Sequence, residues 1–311
     1  MDGCSFPDVF KKDDSMTYIH ASFPPNPTMD PWFEAVERLA LRARRHVLNS
    51  FKPEPMPLFL YKYLPCNTPY STQNLQDIIV GSVLRLSSPR DFNDPFELAA
   101  HFVVDATDEE KRARYETLIR DQTPHLGSRA RQAHVDTLMA ATLEQLTPRL
   151  QQSLRNIRDS AGVYCFAGKA RNRLMWGHYA SNHRGVCLQF ERVLDIRTFG
   201  HAVRVRYSPH LPTINWIVGF QKGISDMLFA KDPCWDYEQE SRIQIPGQAG
   251  HYLAFEPQAL RRLIFGCKAE TDFVDSVQEL LDDRVRGGLP PVDVLFARQH
   301  ATRYHLSVYC K

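Results

Sequence analysis

From Gly162 to the C-terminus the chain repeats one kind of segment: short, β-branched or aromatic, and closed by a turn residue. GVYCFAG, RGVCLQFE, AVRVRYSP, QESRIQIP, LRRLIFG, PVDVLFAR and YHLSVYC all have this form, which predicts strands. Two longer stretches interrupt the series, NWIVGFQKGISDMLFA and ETDFVDSVQELLDDRV, and both read as helices. A parallel doubly wound sheet needs a helical crossover between successive strands. Strand segments that follow one another without it imply an α+β fold with a mixed, mainly antiparallel sheet.

Upstream, LFLYKYL predicts a strand beginning at Leu58, STQNLQDIIVGS a capped helix and VLRLSS a second strand, with PRDFNDPFE as a turn-rich loop. Residues 105–158 are charged and helix-forming, which predicts a helical insertion or lid between strands. The first 57 residues read as an extension. A helix starting near Asp30 and Pro31 carries Trp32, Phe33, Val36, Leu39 and Leu41, and ends in Arg42, Arg44 and Arg45. The prolines of FKPEPMPLF then make a linker. The expected organisation is therefore an extension over 1–57 and an α+β domain over 58–311, carrying the insertion at 105–158.

Charge narrows the function classes. Lys plus Arg is 38 and Asp plus Glu is 36, a net of +2, so binding nucleic acid by bulk charge is excluded and only a local basic patch could do it. No apolar run is long enough to span a bilayer, and MDGCSFPDVFKKDD lacks the basic-then-apolar pattern of a secretory signal, so a soluble cytoplasmic protein is expected. The seven cysteines form no C-x-x-C and read as scattered thiols of a reducing compartment, with no metal expected. There is no Walker A, G-x-G-x-x-G, G-x-S-x-G or H-E-x-x-H.

Chemistry is left to three polar-aromatic clusters. In Phe92-Asn93-Asp94-Pro95-Phe96-Glu97, Asn and Asp before Pro make a tight turn, or else Asn93 or Asp94 faces a pocket and holds a ligand hydroxyl. In Met175-Trp176-Gly177-His178-Tyr179-Ala180, helical spacing places Met175 with Tyr179, and His178 with Asn182. Its rings could stack on a flat heterocycle. In Trp235-Asp236-Tyr237-Glu238-Gln239-Glu240-Ser241-Arg242, Glu238 and Glu240 share a face if the SRIQI strand extends backwards through them. Like charges side by side on a strand call for a cation or a substrate hydroxyl. Arg242 on the same face could be that cation; alternatively a carboxylate there stabilises an oxocarbenium-like sugar.

Together Tyr61-Lys62-Tyr63, F-N-D-P-F, Cys165-Phe166, M-W-x-H-Y-A and W-x-Y-E-x-E-x-R resemble a widespread bacterial family of uncharacterised function, over roughly residues 58–309. More distantly, the order of strands and the late E-x-E is similar to the ADP-ribosyltransferase fold, including its nucleic-acid-modifying toxin-type members. That likeness implies NAD as substrate, with Glu240 stabilising the ribosyl cation as nicotinamide leaves and Glu238 as companion acid. It also implies ligand contacts from Tyr61, Lys62, Ser87, Asn93, Asp94, Trp176, His178, Tyr179 and Arg242. Such transferases open with a His or Arg on the first strand, where this chain has Tyr61-Lys62-Tyr63, and no clear Ser-Thr-Ser strand is present, only Ser87-Ser88.

Three functions follow as expectations. The first is an ADP-ribosyltransferase or NAD glycohydrolase acting on a protein, nucleic-acid or water acceptor. The second is a non-catalytic binding module of a defence or regulatory system. The third is a metal-dependent nuclease built on Asp94, Glu238 and Glu240, which lacks the lysine such sites usually place beside the last acid.

Overall fold

The segment Val186–Glu191 is buried at every position but its last, so it must be covered on both faces, and it forms the middle of the largest sheet. The computed structural model describes residues 57–310 apart from residue 67. The helix and nearly all of the linker expected over 1–57 lie outside the described residues.

In chain order the elements are β1 (Phe59–Leu64), α1 (Pro69–Ile79), β2 (Val83–Arg85), β3 (His101–Val103), α2 (Asp108–Gln122), α3 (Ser128–Ala140), α4 (Leu143–Ser160), β4 (Gly162–Phe166) and α5 (Arg173–Tyr179). They continue as β5 (Val186–Glu191), α6 (Ile196–Phe199), β6 (Val203–Arg204), β7 (Arg206–Tyr207), β8 (Thr213–Asn215), α7 (Phe220–Leu228) and β9 (Ala230–Lys231). The chain finishes with β10 (Ser241–Ile245), β11 (Tyr252–Ala254), β12 (Leu260–Phe265), α8 (Thr271–Arg286), β13 (Asp293–Gln299) and β14 (Leu306–Cys310). This is the α+β class, with mixed and mostly antiparallel sheets.

The main sheet runs β1-β5-β12-β13-β14, antiparallel except for the β12–β13 pair. The strand period of two sorts β5 between its faces. Val186, Leu188 and Phe190 enter one core with Leu75 and Ile78 of α1 and Val277 and Leu281 of α8. Cys187 enters another with Met175 and Trp176 of α5. Helices thus cover both faces, which accounts for the burial of β5.

A second sheet, β4-β10-β6, meets the first at one point, the bridge Tyr61↔Ala167. Two backbone bonds close that bridge, at 3.0 and 2.7 Å, and β1 and β4 share no ladder. Residues of both strands line a pocket, which is the candidate site.

Helices α2, α3 and α4 occupy the region expected to be a helical insertion. They share a separate apolar cluster with Trp216 and with Phe220, Ile224 and Leu228 of α7. Some sequence expectations shift. AVRVRYSP divides into β6 and β7, and NWIVGFQKGISDMLFA begins as the end of β8 before turning helical at Phe220. The turn is made at Gly219, whose φ of +70° suits a residue without Cβ. Among the described residues no helix is long and apolar enough to cross a membrane.

Candidate functional site

Lys231, at the end of β9, stands among three glutamates. Its Nζ lies 2.6 Å from Glu238 Oε2, 3.1 Å from Glu240 Oε2 and 3.6 Å from Glu97 Oε2. Arg242, on β10, approaches the same group from beneath. Its Nε and Nη2 donate to the two oxygens of Glu240 at 2.8 and 2.9 Å, and Nη1 donates to the Leu228 carbonyl at 3.2 Å. Arg242 Nη2 also lies 2.7 Å from Glu97 Oε1, an ion-pair distance without hydrogen-bond alignment. All three glutamates are buried, and the Arg242 side chain is wholly so.

Such a cluster is tolerable only because the charges are paired. Burial alone would raise the Glu240 carboxyl, but Arg242 and Lys231 together hold it well below the usual range. Burial would lower Lys231, and the glutamates around it, Glu240 foremost, raise it instead. Three buried carboxyl groups thus share two cations, Lys231 and Arg242.

Local structure sets this geometry. Residues Pro233–Glu238 form a 3-10 helix, initiated by the Asp232 side chain accepting from Cys234 N. Gln239 then takes a left-handed conformation, φ 48° and ψ 48°, before β10 begins. Glu238 and Glu240 therefore do not alternate along a strand extended backwards from SRIQI, as their spacing suggested. The left-handed turn at Gln239 brings both carboxylates to Lys231. Bonds from outside hold the turn as well as its own Gln239 N to Asp236 O: Gly168 N donates to Glu238 O at 3.0 Å, Val205 N to Glu240 O at 3.0 Å, Asn172 Nδ2 to Tyr237 O, and Glu240 N to the Tyr207 hydroxyl at 2.8 Å. Gly168 must be glycine for this, because a Cβ there would sit 2.7 Å from the Gln239 Cβ.

Above the carboxylates lies a pocket of about 150 Å3, lined on the β1 side by Tyr61, Lys62 and Tyr63 and on the β4 side by Cys165, Phe166 and Ala167. Phe92, Asn93, Met175 and Tyr179 complete the wall, and Lys231, Glu97, Glu238 and Glu240 form its charged floor. The Tyr179 hydroxyl donates to Glu238 Oε1 at 2.7 Å, and burial together with that carboxylate pushes the phenol well up, so it stays a donor. Burial and Glu240 likewise push up the Cys165 thiol, so it is no thiolate nucleophile. Lys62 Nζ donates to the Cys165 carbonyl at 3.2 Å and lies 4.4 Å from the centre of the Tyr164 ring.

Of the residues singled out from sequence, Tyr61, Lys62, Asn93, Tyr179, Glu238 and Glu240 meet in this pocket. The others are placed elsewhere. Trp176 is a core residue, 0% exposed, with its Nε1 donating to the Ala170 carbonyl and its ring edge-on to Tyr63. Arg242 is consumed by its ion pairs below the floor. Asp94 accepts from Phe96 N at 2.9 Å, the structural turn that Asx-Pro permits. Ser87 pairs its backbone with Val163 and borders a different pocket, with Arg85, Arg90 and Asp159. His178 is exposed and packs beside Tyr237, and its expected partner Asn182 lies beyond the end of α5 in a left-handed conformation, φ 53°. Among the described residues no group of three or more His, Cys, Asp or Glu could hold a metal ion, the trio Asp94, Glu238 and Glu240 included.

Glu97, Lys231 and Tyr207 escaped the sequence reading. Glu97 closes a motif whose Asn and Asp drew the attention, and Lys231 lies between two apolar segments with no motif of its own. A lysine in a strand-like stretch just ahead of an acidic pair was the available signal.

Residues 175–243 match a family described as Protein of unknown function (DUF2971). The match begins at Met175 of α5 and ends one residue past Arg242, so it includes Tyr179, Lys231, Glu238, Glu240 and Arg242 of the site. No curated protein and no solved structure matches the chain. The chain is similar, through the segment that builds the carboxylate floor, to an uncharacterised family.

Proposed function

We propose that the pocket binds the nicotinamide–ribosyl end of NAD and cleaves the bond between them, as an ADP-ribosyltransferase or NAD glycohydrolase. The observation that carries this reading is the set of three buried glutamates gathered around Lys231 and Arg242, three carboxylates to two cations, in a pocket also lined by aromatic rings. A site of that sign favours a positive ligand ring and a positive sugar centre, and disfavours a developing anion. Its volume of about 150 Å3 suits the end of a ligand rather than a whole dinucleotide, with the remainder lying outside the cleft.

Glu238 is the group assigned to the sugar. Its partners, the Tyr179 phenol and the Lys231 ammonium, line the pocket with it, whereas Glu240 is locked at both oxygens by the buried Arg242 and acts by fixing Lys231. As the C1′–N bond breaks, its electron pair goes to the nicotinamide ring, which leaves neutral. The ribosyl cation is stabilised by Glu238 until a nucleophile adds to C1′ and releases its proton. Tyr61, Phe92 and Tyr179 wall the ring. The acceptor is a protein side chain, a nucleobase or water.

Nicotinamide release from NAD tests this, with wild type beside Glu238→Gln and Glu240→Gln. Release by wild type and none by Glu238→Gln at unchanged circular dichroism supports the reading. No release by wild type, with or without cell lysate as a source of acceptor, overturns it. A second reading rests on the carboxylates' own partners, since both oxygens of Glu238 and both of Glu240 are already bonded within the protein: a ligand-binding module without turnover. Thermal stabilisation by NAD with no nicotinamide formed would favour it.

A further inference from the structure

The near-neutral net charge hides an uneven distribution. Residues 160–190 contain no Asp or Glu, yet carry Lys169, Arg171, Arg173 and Arg184. Residues 294–311 likewise contain none, and carry Arg298, Arg303 and Lys311 with His300 and His305. The two acid-free stretches are far apart in the chain and meet in the fold. The Arg173 guanidinium lies 5.4 Å from the centre of the Tyr304 ring, joining the start of α5 to the β13–β14 hairpin. Lys268 stands in the same neighbourhood: its backbone N–H donates to the His183 carbonyl at 2.9 Å, and burial foremost, with its charge and that of Arg173, lowers the His183 imidazole.

Lys169, Arg171, Arg173, Arg298, Arg303 and Lys268 are all exposed. Tyr304 at the hairpin tip is 93% exposed, the most exposed of the large hydrophobic side chains among the described residues. A large ring left in water, braced on one side by an arginine, keeps a face free for another flat group. Basic side chains around an exposed aromatic ring are the elements with which proteins hold single strands: cations follow the phosphates and the ring stacks on a base. A duplex hides its base faces, and the carboxylate side chains of an acidic protein segment offer no aromatic face, so neither draws on Tyr304 as a splayed base does.

We infer that the surface formed by Lys169, Arg171 and Arg173 before and at the start of α5, with Arg303 and Tyr304 of the β13–β14 hairpin, binds single-stranded nucleic acid. The same helix α5 carries Tyr179 into the pocket, so a strand held here lies beside the carboxylate site. The inference does not depend on NAD cleavage, because binding is measured without turnover.

The experiment is fluorescence anisotropy of full-length protein with labelled oligo-dT and oligo-rU, against a duplex of equal length and poly-glutamate as competitors. With about four phosphate contacts, the log–log salt slope is about −3 for a single strand, and affinity falls roughly 50-fold between about 50 and about 200 mM salt. Tyr304→Ala weakens binding by about tenfold and Tyr304→Trp restores it. Arg171→Ala with Arg303→Ala flattens the slope by about 1.4. Unchanged affinity in both the tyrosine and the arginine variants overturns the inference. So does competition by poly-glutamate or duplex as effective, per charge, as that of unlabelled oligo-dT. The first of these would indicate an acidic protein partner and the second a duplex.

Discussion

Glu240 and Arg242 are two residues apart, and they close a bidentate pair although only Arg242 belongs to the strand. Gln239, in its left-handed turn, sets Glu240 back over the start of β10, so the guanidinium reaches both carboxylate oxygens while wholly buried. The pair is the foundation of the site: Arg242 fixes Glu240 and lies against Glu97, and Lys231 joins Glu240 and Glu97 to Glu238.

Removing Arg242 should therefore cost more than removing a surface charge. Arg242→Ala leaves Glu240 and Glu97 buried with one cation between them, a loss of about 3–5 kcal/mol. Urea unfolding followed by circular dichroism measures it. A midpoint within error of wild type would show that the pair contributes nothing to stability.

The pH dependence has a definite sign. The Glu240 carboxyl is depressed in the folded protein from an ordinary value of 4.5, so between 4.5 and about 2 the unfolded chain binds a proton that the folded chain refuses. Its contribution is present above pH 4.5 and is lost as pH falls towards about 2. Lys231 is shifted upward from 10.5, so its contribution is present below pH 10.5 and declines only in alkali. Urea midpoints should fall on acidification through that lower window. Glu240→Gln should show a shallower fall, and parallel curves for the two proteins would remove Glu240 as the source.

Tyr179→Phe deletes one hydroxyl and leaves Glu238 Oε1 without its donor. The expected loss is about 1–2 kcal/mol of stability, in the range for a hydrogen bond to a charged group in a partly open site. If Glu238 serves the sugar cation, nicotinamide release should also fall, since the phenol orients that carboxylate. Steady-state assay beside thermal unfolding separates the two effects. Unaltered rates in a correctly folded variant would exclude the phenol from catalysis.

Trp176 offers the opposite contrast. Its ring fills the core between α5 and the main sheet, so Trp176→Ala should cost about 3–5 kcal/mol through cavity formation. Trp176→Phe should recover much of that stability and leave ligand affinity near that of wild type. Calorimetric titration with NAD, read beside the unfolding curve, checks it. A large loss of affinity in Trp176→Phe at retained stability would return the indole to the pocket wall.

Much of the secondary structure could be read from local pattern. The apolar-polar order of RGVCLQFE, LRRLIFG and ETDFVDSVQELLDDRV is a property of each segment alone, and those segments became β5, β12 and α8 as expected. The Thr68 cap that starts α1 and the Asn172 cap that starts α5 are equally local. The three polar clusters were visible too, because unusual side chains crowd a short stretch.

Which members of each cluster face the cleft was not local. Trp176 and Tyr179 occupy one short helix, yet one enters the core and the other the pocket, because the main sheet covers one side of α5 and the cleft borders another. Glu97 is far in the chain from Lys231 and Glu240 and meets them only when β9 and the start of β10 are brought against the Phe92–Glu97 loop. The sequence by itself determined the longer strands and helices and part of the shortlist of chemical groups, since those depend on neighbours in the chain, but not the short strands β3, β8, β9 and β11. Only the tertiary structure decided the charge partners, because pairing buried ions depends on through-space distances that residue order does not encode.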